Sequence, residues 1–291
     1  MRFFKISQYD REEYPVNREN FDLARSRNKM LFQGESCYGI CPYCDSPVQL
    51  IGIFRKTENV PYGKHCGKDV PDVGTHNQEV FEYCPYRADR KKAGKEDRIF
   101  HISERERNLY RLLRNHFDQV IYLLKQDTGL YFSKRTAEEM LKTAHERRIW
   151  LYPEADEANL PWMFAYLSDP IGLYGRYVRI GSNLYIFLKE RGVSLEACSM
   201  DGYERVGKRG AFFSWYYFFG YHERKVVDGK LLEYLRPQVM IHQDIINNHS
   251  IWEEKIKIDH QRFFRLAHSE KAGGFRNREL LEIAARVLPE I

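Results

Sequence analysis

The chain has 291 residues, 43% of them hydrophobic and 30% charged. That balance excludes a disordered or low-complexity chain and leaves room for two domains or one large one. The 46 Lys and Arg exceed the 41 Asp and Glu by five, a mildly basic excess that admits a polyanionic partner without demanding one. No apolar run approaches the roughly 18 residues that cross a bilayer. The opening Met1-Arg-Phe-Phe-Lys-Ile-Ser lacks the long apolar core of a signal peptide, so the expected setting is cytoplasmic, away from membranes.

The first 36 residues begin with the apolar Phe3-Phe4-Lys5-Ile6. Asn17 then stands where a helix cap would, with Phe21 and Leu23-Ala24 on the inward side. Met30-Leu31-Phe32 reads as a short strand leading into the densest chemistry of the chain, Cys37-Tyr-Gly-Ile-Cys41-Pro-Tyr-Cys44, with Cys66 and Cys84 following. Five of the six cysteines fall in this window and only Cys198 lies outside it. In a reducing compartment such clustering indicates a soft metal rather than disulfides. Residues 47–54 are β-branched enough to form the strand that leaves the turn. Residues 77–83 read as a short helix that delivers Cys84. The basic stretch 87–95 reads as a linker, dividing the chain into a metal-binding part, 1–98, and a larger α+β part, 99–291.

From Ser103 the pattern turns helical. Ser103 and Glu106 have capping-box spacing, and Leu109, Leu112, Leu113, Phe117, Val120, Ile121 and Leu124 recur every three or four residues until Gly129. A second helix is expected after Ser133 and a third over 159–167. Residues 177–180 and 184–188 read as a hairpin around Gly181-Ser-Asn183. Residues 211–221 and 231–241 read as a long hairpin closed at Asp228-Gly229, a dipeptide favoured where both central residues need positive φ. About six antiparallel strands are expected, as one curled sheet or partial barrel, followed by helices over 251–267 and 278–288. The fold class is therefore α+β: an N-terminal metal module, a helical middle segment, and a C-terminal antiparallel sheet flanked by helices.

Cys41-Pro-Tyr-Cys44 resembles the knuckle of zinc-ribbon and treble-clef modules, and Cys84-Pro-Tyr resembles a second, incomplete one. The resemblance spans residues 37–86. It implies a closed tetrahedral zinc site without an open position for chemistry, with Cys41, Cys44 and Cys84 as ligands and either His65 or Cys66 as the fourth. Cys37 and His76 are reserves. The spacing Cys37-x3-Cys41-x2-Cys44 also matches radical S-adenosylmethionine enzymes, which would imply a four-iron cluster on these thiols. The turn-rich residues that follow do not match the strand–helix repeats of that family.

Arg55, Lys56, Lys64 and Lys68, with Arg87, Arg90, Lys91, Lys92 and Lys95, surround this module. Such cations suit phosphates, with counterion release supplying the affinity. The aromatic run 212–221 would be a stacking platform if open, but so many rings are better accommodated by burial. Asp201, Glu223 and Lys225 superficially match the carboxylates and lysine of a Mg²⁺-dependent nuclease. Asp259-His260 with Asn277 is spaced too widely for a His-Asn-His nuclease, and Asn277 is better placed as a helix cap. The leading expectation is a non-enzymatic, zinc-containing DNA- or RNA-binding protein. The alternatives are a Mg²⁺-dependent nuclease and a protein-interaction component of a larger complex.

Overall fold

A computed structural model describes the chain except residues 11, 56–58, 209–213, 242–249, 268–274 and 291. The fold is α+β. It divides into two compact units, Met1–His101 with Arg224–Leu232, and Ile102–Glu223 with Glu233–Ile291.

The first unit opens with a two-strand ribbon, β1 (Phe3–Phe4) and β2 (Tyr14–Pro15). Helix α1 (Arg18–Arg27) follows, and the Asn17 side chain accepts from Asn20 N at 2.8 Å. Such a cap is worth about 1 kcal/mol. Phe21 and Ala24 face the core, whereas Leu23 is 42% exposed and does not join the inward stripe. The expected strand at Met30-Leu31-Phe32 is mostly a 3-10 turn, Lys29–Leu31, because the Asn28 side chain captures Met30 N at 3.0 Å and starts a tight turn instead.

Only Phe32–Gln33 is extended, as β3; β4 (Ser36–Ile40), β5 (Pro47–Ile51) and β6 (Tyr62–His65) complete an antiparallel sheet in the order β3-β4-β5-β6. β5 ends earlier than its apolar run suggests, since Gly52 turns the chain at φ +82°. Helix α2 (Gln78–Glu82) is capped by Asn77. The core of this unit gathers Phe4, Phe21, Leu31, Ile40, Val48 and Val80 around the buried Cys41, Cys44 and Cys84.

The second unit carries the helices. The single helix expected from Ser103 to Gly129 is two: α3 (Glu104–Asn115) and α4 (Phe117–Thr128), broken at His116. Apolar spacing runs through the break because both halves bury the same residue types, so periodicity alone cannot register a change of axis. α5 (Lys134–Glu146) begins at Ser133 and buries Ala137, Met140, Leu141 and Ala144; α6 (Leu160–Tyr166) is buried throughout.

After β7 (Ile171–Gly172) and β8 (Tyr177–Arg179), the expected hairpin is replaced by a helix, α7 (Asn183–Glu190). Ser182 caps it by accepting from Tyr185 N at 3.2 Å, and Leu184, Phe187 and Leu188 share its buried face. β8 pairs instead with β10 (Tyr203–Val206), which also pairs β9 (Leu195–Ala197).

β11 (Trp215–Val227) and β12 (Lys230–Ile241) form the long hairpin, with Asp228 at φ +51° and Gly229 at φ +74°. Among the described residues the strands make two sheets in this unit rather than one barrel. The larger runs β7-β11-β12, with β13 (Trp252–Glu253) and β14 (Ile256–Lys257) both on β12. Those two short strands occupy the start of the expected 251–267 helix, so α8 spans only His260–Ala267; α9 (Arg278–Val287), capped by Asn277, packs on α3, α4 and α5. Trp215, Tyr217 and Phe219 on one face of β11 are buried, whereas Tyr221 on the same face is 47% exposed and Tyr216 and Phe218 opposite are half-buried, so the run is buried only in part; 212 and 213 lie outside the described residues.

Candidate metal centre

Four side chains from three separate stretches meet in the first unit. Cys41 follows β4 directly, and the turn to Cys44 closes with Cys41 N donating to Ser46 O at 2.9 Å and Asp45 N to Cys41 O at 3.2 Å. His65 is the last residue of β6. Cys84 leaves α2, its N–H donating to Phe81 O at 3.0 Å.

One ligand atom from each of Cys41, Cys44, His65 and Cys84 lies within 4.8 Å of all the others, and among the described residues this is the group close enough to hold a metal ion. Cys41 Sγ stands 3.8 Å from Cys84 Sγ, and His65 Nε2 stands 3.3 Å from Cys44 Sγ and 3.6 Å from Cys84 Sγ. The His65 ring meets the edge of Phe81 at 5.0 Å, so α2 both delivers Cys84 and holds the imidazole.

The electrostatics favour a cation. Burial pushes the Cys41 and Cys84 thiols well up. Cys44 is buried too, yet hydrogen bonds from Cys41, Cys84 and His65 hold its thiol well down. Ionising all three in a dry core would set thiolates against one another, and a metal ion would relieve both the repulsion and the desolvation.

The other candidates are placed elsewhere. Cys66, half-buried, stays outside the group, its N–H donating to Pro47 O. Cys37 pairs with Leu50 on the core side of the sheet, where burial raises its thiol to about 11. It does not join Cys41 and Cys44, as a three-cysteine iron cluster would require. His76 Nε2 lies 3.0 Å from Gln78 Oε1. Glu223 is engaged by Arg236 at 2.9 Å and Lys255 at 3.2 Å, and Asp201 and Glu223 form no metal-holding group among the described residues.

The basic residues divide in two. Lys91 pairs with Glu82 at 2.5 Å, Arg87 with Asp89 at 2.6 Å, and Arg90 donates to Arg224 O at 2.9 Å. Arg55, Lys64, Lys68 and Lys92 are exposed and form no ion pair among the described residues. Lys56 lies outside the described residues.

Comparison with family models, curated proteins and solved structures gives no match. The site is therefore read from its own chemistry.

Two features escaped the sequence. Arg224 is buried, its guanidinium 4.0 Å from the Tyr43 ring centroid, with Nη1 donating to Tyr43 Oη at 2.7 Å; it braces the turn between Cys41 and Cys44 from 181 residues away in sequence. The second unit holds a buried acid–base chain. His222 Nδ1 lies 3.1 Å from Glu154 Oε2 and its Nε2 lies 2.5 Å from Glu233 Oε1, while His260 Nε2 lies 2.6 Å from Glu233 Oε2. Asn159 Nδ2 donates to Glu233 Oε1 at 2.9 Å. The available signal was Glu233 itself, an acid in phase with the inward Leu235 and Val239 of its strand.

Proposed function

We propose that the chain is a non-enzymatic nucleic-acid-binding protein whose first unit is built on a structural zinc ion held by Cys41, Cys44, His65 and Cys84. The supporting observation is the set of ligand separations. A tetrahedron with Zn–S bonds of about 2.3 Å and a Zn–N bond of about 2.0–2.1 Å has S···S edges of about 3.8 Å and S···N edges of about 3.6 Å. The separations in the structure are 3.8, 3.6 and 3.3 Å. Four protein ligands leave no position for water or substrate, which fits a structural ion rather than a catalytic one.

The nucleic-acid reading rests on charge. The first unit holds 20 of the 46 Lys and Arg and 16 of the 41 Asp and Glu, an excess of four out of the chain's five. Arg55, Lys64 and Lys68, which form no ion pair among the described residues, lie on the segments that flank and follow β6, the strand that ends in a ligand. Elemental analysis of the purified protein should find one zinc per chain and no visible absorbance. Affinity for labelled DNA or RNA should fall steeply with salt, with each lost phosphate contact reducing the slope by about one. An iron-loaded brown protein would sink the zinc assignment, and salt-independent or absent binding would sink the nucleic-acid one.

A further inference from the structure

The β3–β6 sheet has two unlike faces. On one, Cys37, Gly39, Val48, Leu50 and Gly63 are buried, with Phe4 over Gly39 and Met1 over Gly63 so closely that a Cβ at either glycine would stand under 3 Å from them. The opposite face is covered at Ile40 and Pro47, which are buried, and at Tyr38, which packs partly against the core, and it opens toward β6. The strand register sets Tyr38, Gln49 and Lys64 in one cross-strand row, and Ile51 beside Tyr62 in the next. Tyr62 is 44% exposed and Lys64 is exposed, while Tyr38, Gln49 and Ile51 are half-buried. Solvated sheet faces normally carry polar residues; two tyrosines and an isoleucine need another reason to be there.

Lys64 stands on this face, and Arg55 and Lys68, on the segments that follow β5 and β6, are likewise exposed and form no ion pair among the described residues. Arg2 Nη1 donates to Val60 O at 2.8 Å and Pro61 O at 2.9 Å, fixing the segment that enters β6 just before Tyr62. β4 runs directly into Cys41 and β6 ends at His65, so the two strands that carry Tyr38 and Tyr62 are both tethered to the metal centre.

Building on the nucleic-acid reading above, we propose that this face takes an unpaired nucleic-acid strand, with bases stacked on Tyr62 and Tyr38 and phosphates along Lys64, Lys68 and Arg55. An exposed ring at Tyr62 two residues from the exposed cation of Lys64 suits a base joined to a phosphate. A duplex conceals its base faces and would use only the cations. Tyr38 and Tyr62 stand on strands separated by β5, about 10 Å apart across the sheet, so each receives its own base.

The test uses the zinc-loaded full chain and three labelled probes: a 15-nucleotide oligo(dT), a 15-nucleotide oligo(U) and a 15-base-pair duplex, titrated by fluorescence anisotropy. Single strands should bind at least about tenfold more tightly than the duplex. Tyr62→Ala should weaken single-strand binding by about ten- to a hundredfold and leave duplex binding unchanged, while Tyr62→Phe, which keeps the ring, should bind as the parent does. Lys64→Gln should lower the salt slope by about one. Unchanged zinc content and circular dichroism establish that each variant is folded. If Tyr62→Ala binds single strands as well as the parent, or the duplex binds equally well, this inference fails while the nucleic-acid reading stands. If none of the probes binds, both fail.

Discussion

The chain buries two polar centres and satisfies them in opposite ways. In the first unit, three sulfurs and one nitrogen converge within 4.8 Å of one another. In the second, Glu154, His222, Glu233 and His260 are strung in a line, each facing the next. His222 Nε2 meets a Glu233 carboxylate oxygen, and its Nδ1 stands 3.1 Å from Glu154 Oε2. The linear centre can be satisfied by protons shared among its own side chains, while the convergent centre is close enough to hold an ion brought from outside. Burying charge is tolerable only when it is paired and hydrogen-bonded. A metal ion is one way to meet that condition and a protonated histidine is another.

The largest expected effect tests this directly. Stripping zinc, or making Cys84→Ser, should remove the central charge of the first unit only. Zinc-finger peptides draw about 10–16 kcal/mol from their metal, more than a domain's usual net stability. Hydrogen exchange should therefore show lost protection within Met1–His101 and retained protection in α3–α6. Protection of β4–β6 that survives metal removal would break the comparison. Cys66→Ser, outside the group, should leave zinc stoichiometry at one.

Next in size is Glu233→Ala. Glu233 is 1% exposed and faces both histidines. Removing one partner of a buried ion pair typically costs about 3–5 kcal/mol, which for a unit of this size lowers Tm by roughly 6–20 °C. Zinc content should not change. A Tm within a degree of the parent would show that the line of side chains carries no charge.

How much of this was legible depended on range. The knuckle, the caps at Asn17, Ser103, Ser133 and Asn277, and the turn at Asp228-Gly229 are local, and their chemistry is written within four residues. So is the α+β character. The choice of His65 over Cys66 was not, because it depends on where β6 ends and on His65 pairing with Val48 of β5, which spacing does not reveal. The break at His116 was hidden by continuous apolar spacing. The strand expected at 184–188 became a helix because Ser182 offers a cap, a signal as available in the sequence as the one at Ser133. Arg224 on Tyr43 and the Glu154–Glu233 chain were beyond reach, since both join segments that only the tertiary fold brings together.

Glu106 gives a smaller and pH-dependent effect. Burial opposes its charge, but the Arg105 guanidinium and the Ser103 hydroxyl outweigh burial and hold the carboxyl below its ordinary value. A lowered folded pKa means stability that is fully present above the unfolded value, about 4.3, and is lost as pH falls through the folded value. Glu106→Gln should cost about 1 kcal/mol at pH 7. By thermal melts that difference should shrink toward pH 3. A difference independent of pH would mean that packing, rather than charge, makes the cap.

The smallest effect has the opposite sign and completes the comparison. Glu254 is a half-buried carboxyl in the same unit that lacks what Glu106 has. Burial pushes its pKa up; the hydrogen bond from Asn183 Nδ2 at 2.5 Å pulls it back in part, and nearby Asp127 pushes it up again. With a raised folded pKa, the folded state holds the proton more tightly. Stability therefore declines as pH rises from about 4.3 through the folded value, and the full penalty applies at neutral pH. Glu254→Gln keeps an acceptor for Asn183 and removes the charge, so it should stabilise the second unit at pH 7. Solvent screening at a half-exposed site limits the gain to on the order of 0.5 kcal/mol. Below pH 4 both side chains are neutral and the melts should coincide. If the substitution destabilises the unit at pH 7, Glu254 has a cationic partner after all, and the rule drawn from the two buried centres does not extend to the surface.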